Sequence, residues 1–281
     1  MVVDGKKISQ NIVNLLKPRV LKLNRSGVYP RLAIILVGDN DASLTYIKKK
    51  QQAGEKIGVS VDVYKLDKNS STAKIVRKVK AIQKKYLSGI IVQLPLPKKL
   101  DDSKILNAIR PDLDVDLMTY TNWGKLAMAE NRLEPPTPAA ILEVLKFHKI
   151  NLTGKYVVVI GRGWLIGKPL TNLLMQQPVT ITVCGKSTKN LPKFTKQADI
   201  IITAVGKHNL LRKNMVKTGV IIIDAGFSSV NGKIAGDVNV KEVEKIAKLV
   251  TPTPGGIGPI TVAKLMANVV SNAEYLLKKR D

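Results

Sequence analysis

Short apolar runs alternate with stretches in which apolar residues recur every three or four positions, beginning at Leu32. Residues 32–37, 59–66 and 89–94 are runs of β-formers, the first closed by Gly38 and the last by Pro95 and Pro97. Between them, residues 43–57 and 72–86 carry helical spacing; the first stops at Gly58 and the second is capped by Ser70 or Ser71. Strand, helix, strand, helix, strand predicts a parallel sheet. Residues 111–138 hold four prolines, a tryptophan and little apolar periodicity, and read as a connection. A second alternation follows, with a helix at 139–148, a strand at 156–160, a helix at 165–175 and strands at 179–183, 199–205 and 220–224. It closes on a helix at 260–279, after TPTPGGIGP. The expected architecture is two α/β domains flanking a cleft.

Composition narrows the class of protein. A chain of 281 residues suffices for two modest domains, and 44% hydrophobic and 24% charged residues are ordinary for a globular protein. No apolar run approaches the ~18 residues of a membrane span, and MVVDGKKISQ lacks the apolar core of a signal peptide. The single cysteine, Cys184, excludes internal disulfides and fits a reducing, cytoplasmic compartment. The net charge of +25 is the one extreme value, and it raises nucleic acid as a partner. Yet residues 1–133 carry 25 basic against 12 acidic groups, and the remainder 21 against 9. That even spread, with aromatics at only 4%, argues for a diffuse basic surface over a nucleic-acid-binding protein.

Four stretches carry candidate chemistry. In VGDNDASLTYIKKK, residues 37–50, Ser43, Tyr46 and Lys50 share one helical face. A phenol and an amine one turn apart, just past a strand's carboxyl end, can share a proton or bind a substrate. Burial would lower the lysine pKa toward the range useful for acid/base work. The same residues also describe a first turn capped by Asp41 or Ser43 and a solvated lysine face. In GIIVQLPLP, residues 89–97, Gln93 breaks the apolar run where open α/β sheets place their ligands. Its amide needs partners, either in a site or in the core. In DLDVDLM, residues 112–118, Asp114 and Asp116 alternate like strand neighbours on one face. One such carboxylate can accept two parallel N–H donors from a guanidine-like ring edge, whereas a metal would want more oxygen ligands nearby. In TPTPGGIGPITVAKL, Pro252 and Pro254 stiffen the approach, and Gly255, Gly256 and Gly258 let backbone come close to a ligand. His148 and His208 are isolated, so no metal is expected.

In KYVVVIGRGWLIGKPL, residues 155–170, Gly161 and Gly163 open a dinucleotide-binding fingerprint, but its third glycine, Gly167, comes one residue late. Backbone room at Gly161 and Gly163, with a helix expected from Leu165, suits a pyrophosphate-sized anion. An NAD-selective site would place an acid at the end of the next strand. Here Cys184, Gly185, Lys186 and Ser187 follow instead. Arg162 and Lys186 with nearby hydroxyls suit a 2′-phosphate, which predicts NADP over NAD. The alternative is that both are solvated surface charges.

The stretches VGDNDASLTYIKKK, GIIVQLPLP, DVD at 114–116, PPTP at 135–138, GRGWLIGKPL, ADIIITAVG, GVIIIDAG, AGDV and TPTPGGIGPITVAKLM come in a familiar order. It is that of the bacterial FolD-type bifunctional methylenetetrahydrofolate dehydrogenase/methenyltetrahydrofolate cyclohydrolases, which the chain resembles over essentially its whole length. The resemblance implies a folate-binding catalytic α/β domain at 1–133, completed by the C-terminal helix at 262–281, and a Rossmann-like NADP-binding domain at 134–261. It implies metal-free oxidation of 5,10-methylenetetrahydrofolate by NADP and hydrolysis of the methenyl product to 10-formyltetrahydrofolate, in a homodimer joined through the nucleotide domain. An enzyme with only one of the two activities is the alternative. Lys50 matches the family's catalytic lysine, Tyr46 a tyrosine stacked near the pterin, Gln93 the glutamine that tunes the lysine, and Asp116 the carboxylate on the pterin edge. By the same resemblance Ser43, Val92, Leu94, Pro254, Gly255, Gly256, Gly258, Pro259 and Thr261 line the folate. Gly161, Arg162, Gly163, Gly167, Lys186, Ser187, Thr188 and Phe227 are implied to hold NADP. Four positions depart from the pattern: Leu117 stands for a glycine, Gly163 for a serine, Pro136 for a cysteine and Lys186 for a cofactor-binding serine.

Overall fold

The computed structural model describes residues 1–230 and 232–279. Its first half contains α1 (Gly5–Arg25), β1 (Arg31–Val37), α2 (Asp41–Glu55), β2 (Ser60–Leu66), α3 (Thr72–Ile82) and β3 (Gly89–Val92). Three helices follow, α4 (Asp102–Leu106), α5 (Tyr120–Ala127) and α6 (Pro136–Phe147). The second alternation is β4 (Lys155–Ile160), α7 (Gly167–Met175), β5 (Val179–Cys184), α8 (Leu191–Thr195), β6 (Ile200–Thr203) and β7 (Ile221–Asp224). A hairpin of β8 (Ser228–Val230) and β9 (Lys233–Ala235) precedes α9 (Val240–Val243), β10 (Leu249–Val250) and α10 (Ile257–Lys278).

These elements form two compact units. The first is Gln10–Pro136 with the chain from Val262 onward, and the second is Met1–Ser9 with Thr137–Thr261. The first nine residues, expected in the first domain, therefore belong to the second. Val3 N donates to Val250 O at 2.9 Å and Val250 N to Met1 O at 2.9 Å, so the chain start satisfies backbone groups at the edge beside β10.

In the first unit the sheet order is β2-β1-β3, with both pairings parallel. The central strand is buried on both faces, as a parallel sheet requires. Leu32, Ile34 and Leu36 pack with Leu16 and Val20 of α1 and with Met266 and Val269 of α10. Ala33, Ile35 and Val37 pack with Ile75, Val79 and Ile82 of α3. Ser71 is the cap of α3, its side chain accepting from Lys74 N.

Two expectations change in this unit. The apolar reading began at Leu32 and passed over α1, which buries Val13, Leu16, Val20 and Leu23 here although Pro18 lies inside it. Residues 111–138 are more than a connection. Thr119 accepts from Asn122 N and starts α5, and α6 begins at Pro136, where a missing N–H is no loss in a first turn.

The second unit has a five-stranded parallel sheet of order β10-β7-β6-β4-β5. Renumbered from β4, this is the doubly wound order 2-1-3-4-5, and the first unit shows its 2-1-3 beginning. Such an order reverses between its first and third strands and opens a crevice at their carboxyl ends. The rule points to the ends of β1 and β3 in the first unit, and to the ends of β4 and β6 in the second.

Candidate active site

At the first of these crevices, Gln93 N donates to Ile35 O at 2.8 Å and fixes the glutamine at the end of β3. Its Nε2 donates to Leu94 O at 2.7 Å, which aims Oε1 at α2. That oxygen accepts from Lys50 Nζ at 2.9 Å. The helix is placed by Asn40, whose Oδ1 accepts from Ser43 N at 3.1 Å. Asn40, rather than Asp41 or Ser43, is thus the cap, because its side chain reaches the free N–H of the first turn. Ser43 and Ile47 are buried, Tyr46 and Lys50 are partly buried, and Lys48 and Lys49 are exposed. The face that carries Ser43, Tyr46 and Lys50 is therefore turned inward, and only its lysine neighbours are solvated. The Lys49 ammonium lies 5.5 Å from the Tyr46 ring centroid.

Burial governs the ionisation of this cluster. It lowers the pKa of Lys50, against the opposing pull of Asp116, and it raises that of Tyr46. It also pushes Asp116 up to about 6; the Lys50 charge works against that rise and Asp114 adds to it. An amine and a carboxyl are thus brought from opposite ends of the pH scale toward neutrality, the condition for moving protons near pH 7.

Asp114 and Asp116 do not alternate along a strand. Asp114 makes a lone bridge to Ile90 and the chain then turns. Its carboxylate accepts from Met118 N at 3.0 Å, Thr119 N at 2.8 Å, Thr119 Oγ1 at 2.8 Å and Asn122 Nδ2 at 2.9 Å. These bonds fold the backbone back on itself, so the Asp114 carboxylate is committed to the turn and that of Asp116 is not among its acceptors. Leu117 completes that turn with φ at 56°, the left-handed conformation that glycine usually supplies, and its side chain is buried among Val115 and Leu133. A separate cavity of about 330 Å³ is lined by Asp112, Arg132 and Tyr275 among others, and excludes Lys50, Gln93 and Asp116.

At the second crevice Gly161 follows β4 with φ at 115°, and its N donates to Cys184 O at 2.9 Å. A Cβ at Gly161 would lie 2.6 Å from Ala204 O, just past β6, and one at Gly167 would lie 2.1 Å from Gly161 O. Helix α7 starts at Gly167, two residues beyond the expected Leu165, because Ile166 is held at φ −132°, ψ −61° outside the helical range. The late glycine is thereby explained: it opens the helix against the carbonyl of Gly161. A Cβ at Gly163 would meet nothing within 4 Å, so this position has room for the serine of the family pattern. Arg162 Nη2 donates to Ser187 Oγ at 3.1 Å, while Gly185 N donates to Thr188 Oγ1 at 2.9 Å and closes the turn after β5. Arg162, Lys186 and Ser187 are exposed, and Phe227 is 44% exposed in the loop before β8.

These features fit NADP. Gly161 and Gly167 permit a close backbone turn that a Cβ at either would break, a helix of nine residues opens on it, and no acid stands at the end of β5.

The fourth predicted stretch lies in the second unit as far as Thr261. Gly255 has φ at 103°, Gly256 N donates to Pro252 O at 2.8 Å, and Gly258, Pro259 and Thr261 lie in the first turns of α10. Thr261 Oγ1 donates to Ile257 O at 3.2 Å. Gly5 supports this loop: its N donates to Gly255 O at 3.0 Å, and a Cβ there would fall 1.9 Å from Gly256 O. Sequence reasoning missed both Gly5 and Asn40. An asparagine three residues before Ser43 was a readable cap signal, whereas Gly5 carries none. Among the described residues no group of three or more His, Cys, Asp or Glu is placed to hold a metal ion, and no helix is long and apolar enough to cross a membrane.

Residues 3–116 match the family model of the tetrahydrofolate dehydrogenase/cyclohydrolase catalytic domain, and residues 135–277 match that of its NAD(P)-binding domain. The chain is 40% identical to the bifunctional protein FolD of Lysinibacillus sphaericus over 98% of each chain. The crystal structure of the bifunctional FolD of Campylobacter jejuni superposes with a TM-score of 0.95 at 39% identity, covering 98% of this chain and 99% of that one. The Trypanosoma brucei FolD, solved with NADP cofactor and inhibitor, gives a TM-score of 0.95 at 31% identity over 99% of this chain and 98% of that one. The chain belongs to the tetrahydrofolate dehydrogenase/cyclohydrolase family.

Proposed function

We propose that Lys50, Gln93 and Asp116 are the working groups of the first unit, and that Arg162, Ser187 and Lys186 read the cofactor in the second. The protein is an NADP-dependent methylenetetrahydrofolate dehydrogenase and methenyltetrahydrofolate cyclohydrolase. The observation that carries the residue assignment is the 2.9 Å bond from Lys50 Nζ to Gln93 Oε1 at the β1/β3 crevice.

In this reading the Asp116 carboxylate accepts two N–H donors from the pterin edge and fixes the folate, with Tyr46 against the ring system. Val92, Leu94 and Ser43 complete the folate wall of the first unit. NADP, when bound, supplies the acceptor for the hydride that leaves the methylene carbon. In the hydrolytic step a water oxygen bonds to the methenyl carbon while Lys50 takes one of its protons. The second proton leaves the new hydroxyl as the carbonyl forms, the bond from carbon to N5 breaks, and N5 is protonated. Gln93 keeps Nζ aimed at that carbon, and burial, by lowering the pKa of Lys50, favours the neutral amine that can accept a proton.

Gly161, Gly163, Gly167 and Thr188 give the pyrophosphate its room, and Phe227 borders the same site. The protein is further proposed to act in the cytoplasm, where its single Cys184 stays reduced, as a homodimer through the second unit. The hairpin of β8 and β9 supports that dimer, with Val230 and Ile234 each 37% exposed. A monomer mass in sedimentation at working concentration would count against it. The direct test of function follows methenyl disappearance beside NADPH formation. Both rates are expected; loss of one leaves a monofunctional enzyme, and loss of both with salt-sensitive retention on DNA would favour a nucleic-acid-binding protein.

A further inference from the structure

We propose that Gly185 is a specificity-determining residue: it is the seat that holds Arg162 in position for the 2′-phosphate of NADP. This inference rests on the reading of Arg162 given above. Gly185 follows β5, and its φ lies outside the left-handed range, so its backbone is open to any residue. What glycine supplies there is space. A Cβ at this position would meet Arg162 Nε at 2.7 Å, Cζ at 3.2 Å and Cδ at 3.3 Å, and these are its three nearest atoms. The end of the arginine therefore lies directly against the glycine.

The seat is itself fixed. Gly185 N donates to Thr188 Oγ1 at 2.9 Å and Thr188 N to Gly185 O at 3.0 Å, which closes the turn that also presents Ser187. Ser187 Oγ then takes one N–H of the guanidinium at 3.1 Å. An exposed arginine loses rotamer entropy when it binds an anion, and prior seating removes part of that cost. Among the described residues Ser187 engages one of its five N–H donors, which leaves the rest for oxygen ligands. The three atoms nearest that Cβ all belong to the flexible end of one side chain. Adding that Cβ should displace Arg162 and leave the fold intact.

The test compares kcat/KM for NADP and for NAD in Gly185→Ala, Gly185→Ser, Arg162→Ala and the Gly185→Ala/Arg162→Ala pair. Gly185→Ala and Gly185→Ser should each lower the NADP-to-NAD ratio by roughly three- to tenfold, part of what a lost charge-assisted contact costs. The NAD value should stay within about twofold. In the Arg162→Ala background the added alanine should change neither value, because the glycine acts only through the arginine. An unchanged ratio in both Gly185 variants, with a fall in Arg162→Ala, overturns the seat and leaves the phosphate reading standing. No fall in any variant overturns both. An equal loss for NADP and NAD, an additive loss in the pair, or a collapse of the thermal transition contradicts the seat, since each places the damage in the loop itself.

Discussion

At the β1/β3 crevice Lys50 and Asp116 are partly buried and their pKa values are drawn toward neutrality, whereas at the β4/β6 crevice Arg162, Lys186 and Ser187 stand in solvent. The two crevices share a strand order and differ in where they keep charge. A group that must take and return a proton gains from desolvation, which shifts its pKa toward the working pH. A group that only recognises a phosphate needs its charge at every pH, and an exposed arginine keeps it. In the proposed reading, the same topology serves chemistry on one unit and selection on the other.

The strongest way to break this comparison is at the buried site. Lys50→Met should lower the cyclohydrolase rate by about 10²–10⁴-fold, the usual contribution of a general acid/base group. NADP affinity, followed by cofactor titration, should stay near the wild-type value.

Asp116 gives the next effect. Its folded pKa of about 6 means that the carboxylate is protonated as the pH falls through that value. The kcat/KM for folate should drop by about tenfold per pH unit below it. Asp116→Asn should be slower at pH 8 and flat across the same range. The sign for stability is the reverse of a stabilising carboxylate. A pKa raised above 3.8 makes the ionised form a cost above about pH 6, relieved as the pH falls. Thermal scans should show the wild type gaining on Asp116→Asn between pH 7 and 5, values spanning that pKa of about 6.

At the exposed site, Arg162→Ala combined with Lys186→Ala should reduce the NADP-to-NAD ratio of kcat/KM by at least about tenfold, through weaker NADP and unchanged NAD. A ratio that stays put would mean that the phosphate is read elsewhere. The smallest effect is ionic. Salt screens exposed charges within ~10 Å at 0.1 M, so the KM for NADP should rise a few-fold toward 0.5 M while the cyclohydrolase kcat moves by less than about twofold.

Much of this was legible in the chain. Strands buried on both faces read as continuous apolar runs, which is why β1, β3, β4, β6 and β7 could be found. Lys50 and Gln93 were legible because helical spacing and a strand end each name a place. The pair at 114 and 116 misled, since a spacing of two looks alike in a strand and a turn. Only the four donors that converge on Asp114 decide between them, and Asn122 comes from beyond the stretch that was read. The helix α1 was hidden by Pro18, and α5 by its shortness among prolines. Leu117 shows a compensation that no pattern reveals. A left-handed leucine costs about 1–2 kcal/mol, and burying its side chain returns about 1.5–3 kcal/mol. The contacts of Gly5 and Gly185 depend on which distant segment crosses them, and spacing alone cannot show that.

The claim on which the rest depends is that the Lys50 amine is desolvated and titrates below an ordinary lysine. It can be measured by NMR of protein carrying labelled lysine side chains, titrated from pH 6 to 11, a range that spans the ordinary value of 10.5, with Lys50→Met identifying the resonance. The account predicts one resonance, absent from the variant, whose midpoint lies below 10.5 and matches the alkaline limb of cyclohydrolase activity. A midpoint at or above 10.5, or a limb that follows a different group, would contradict it.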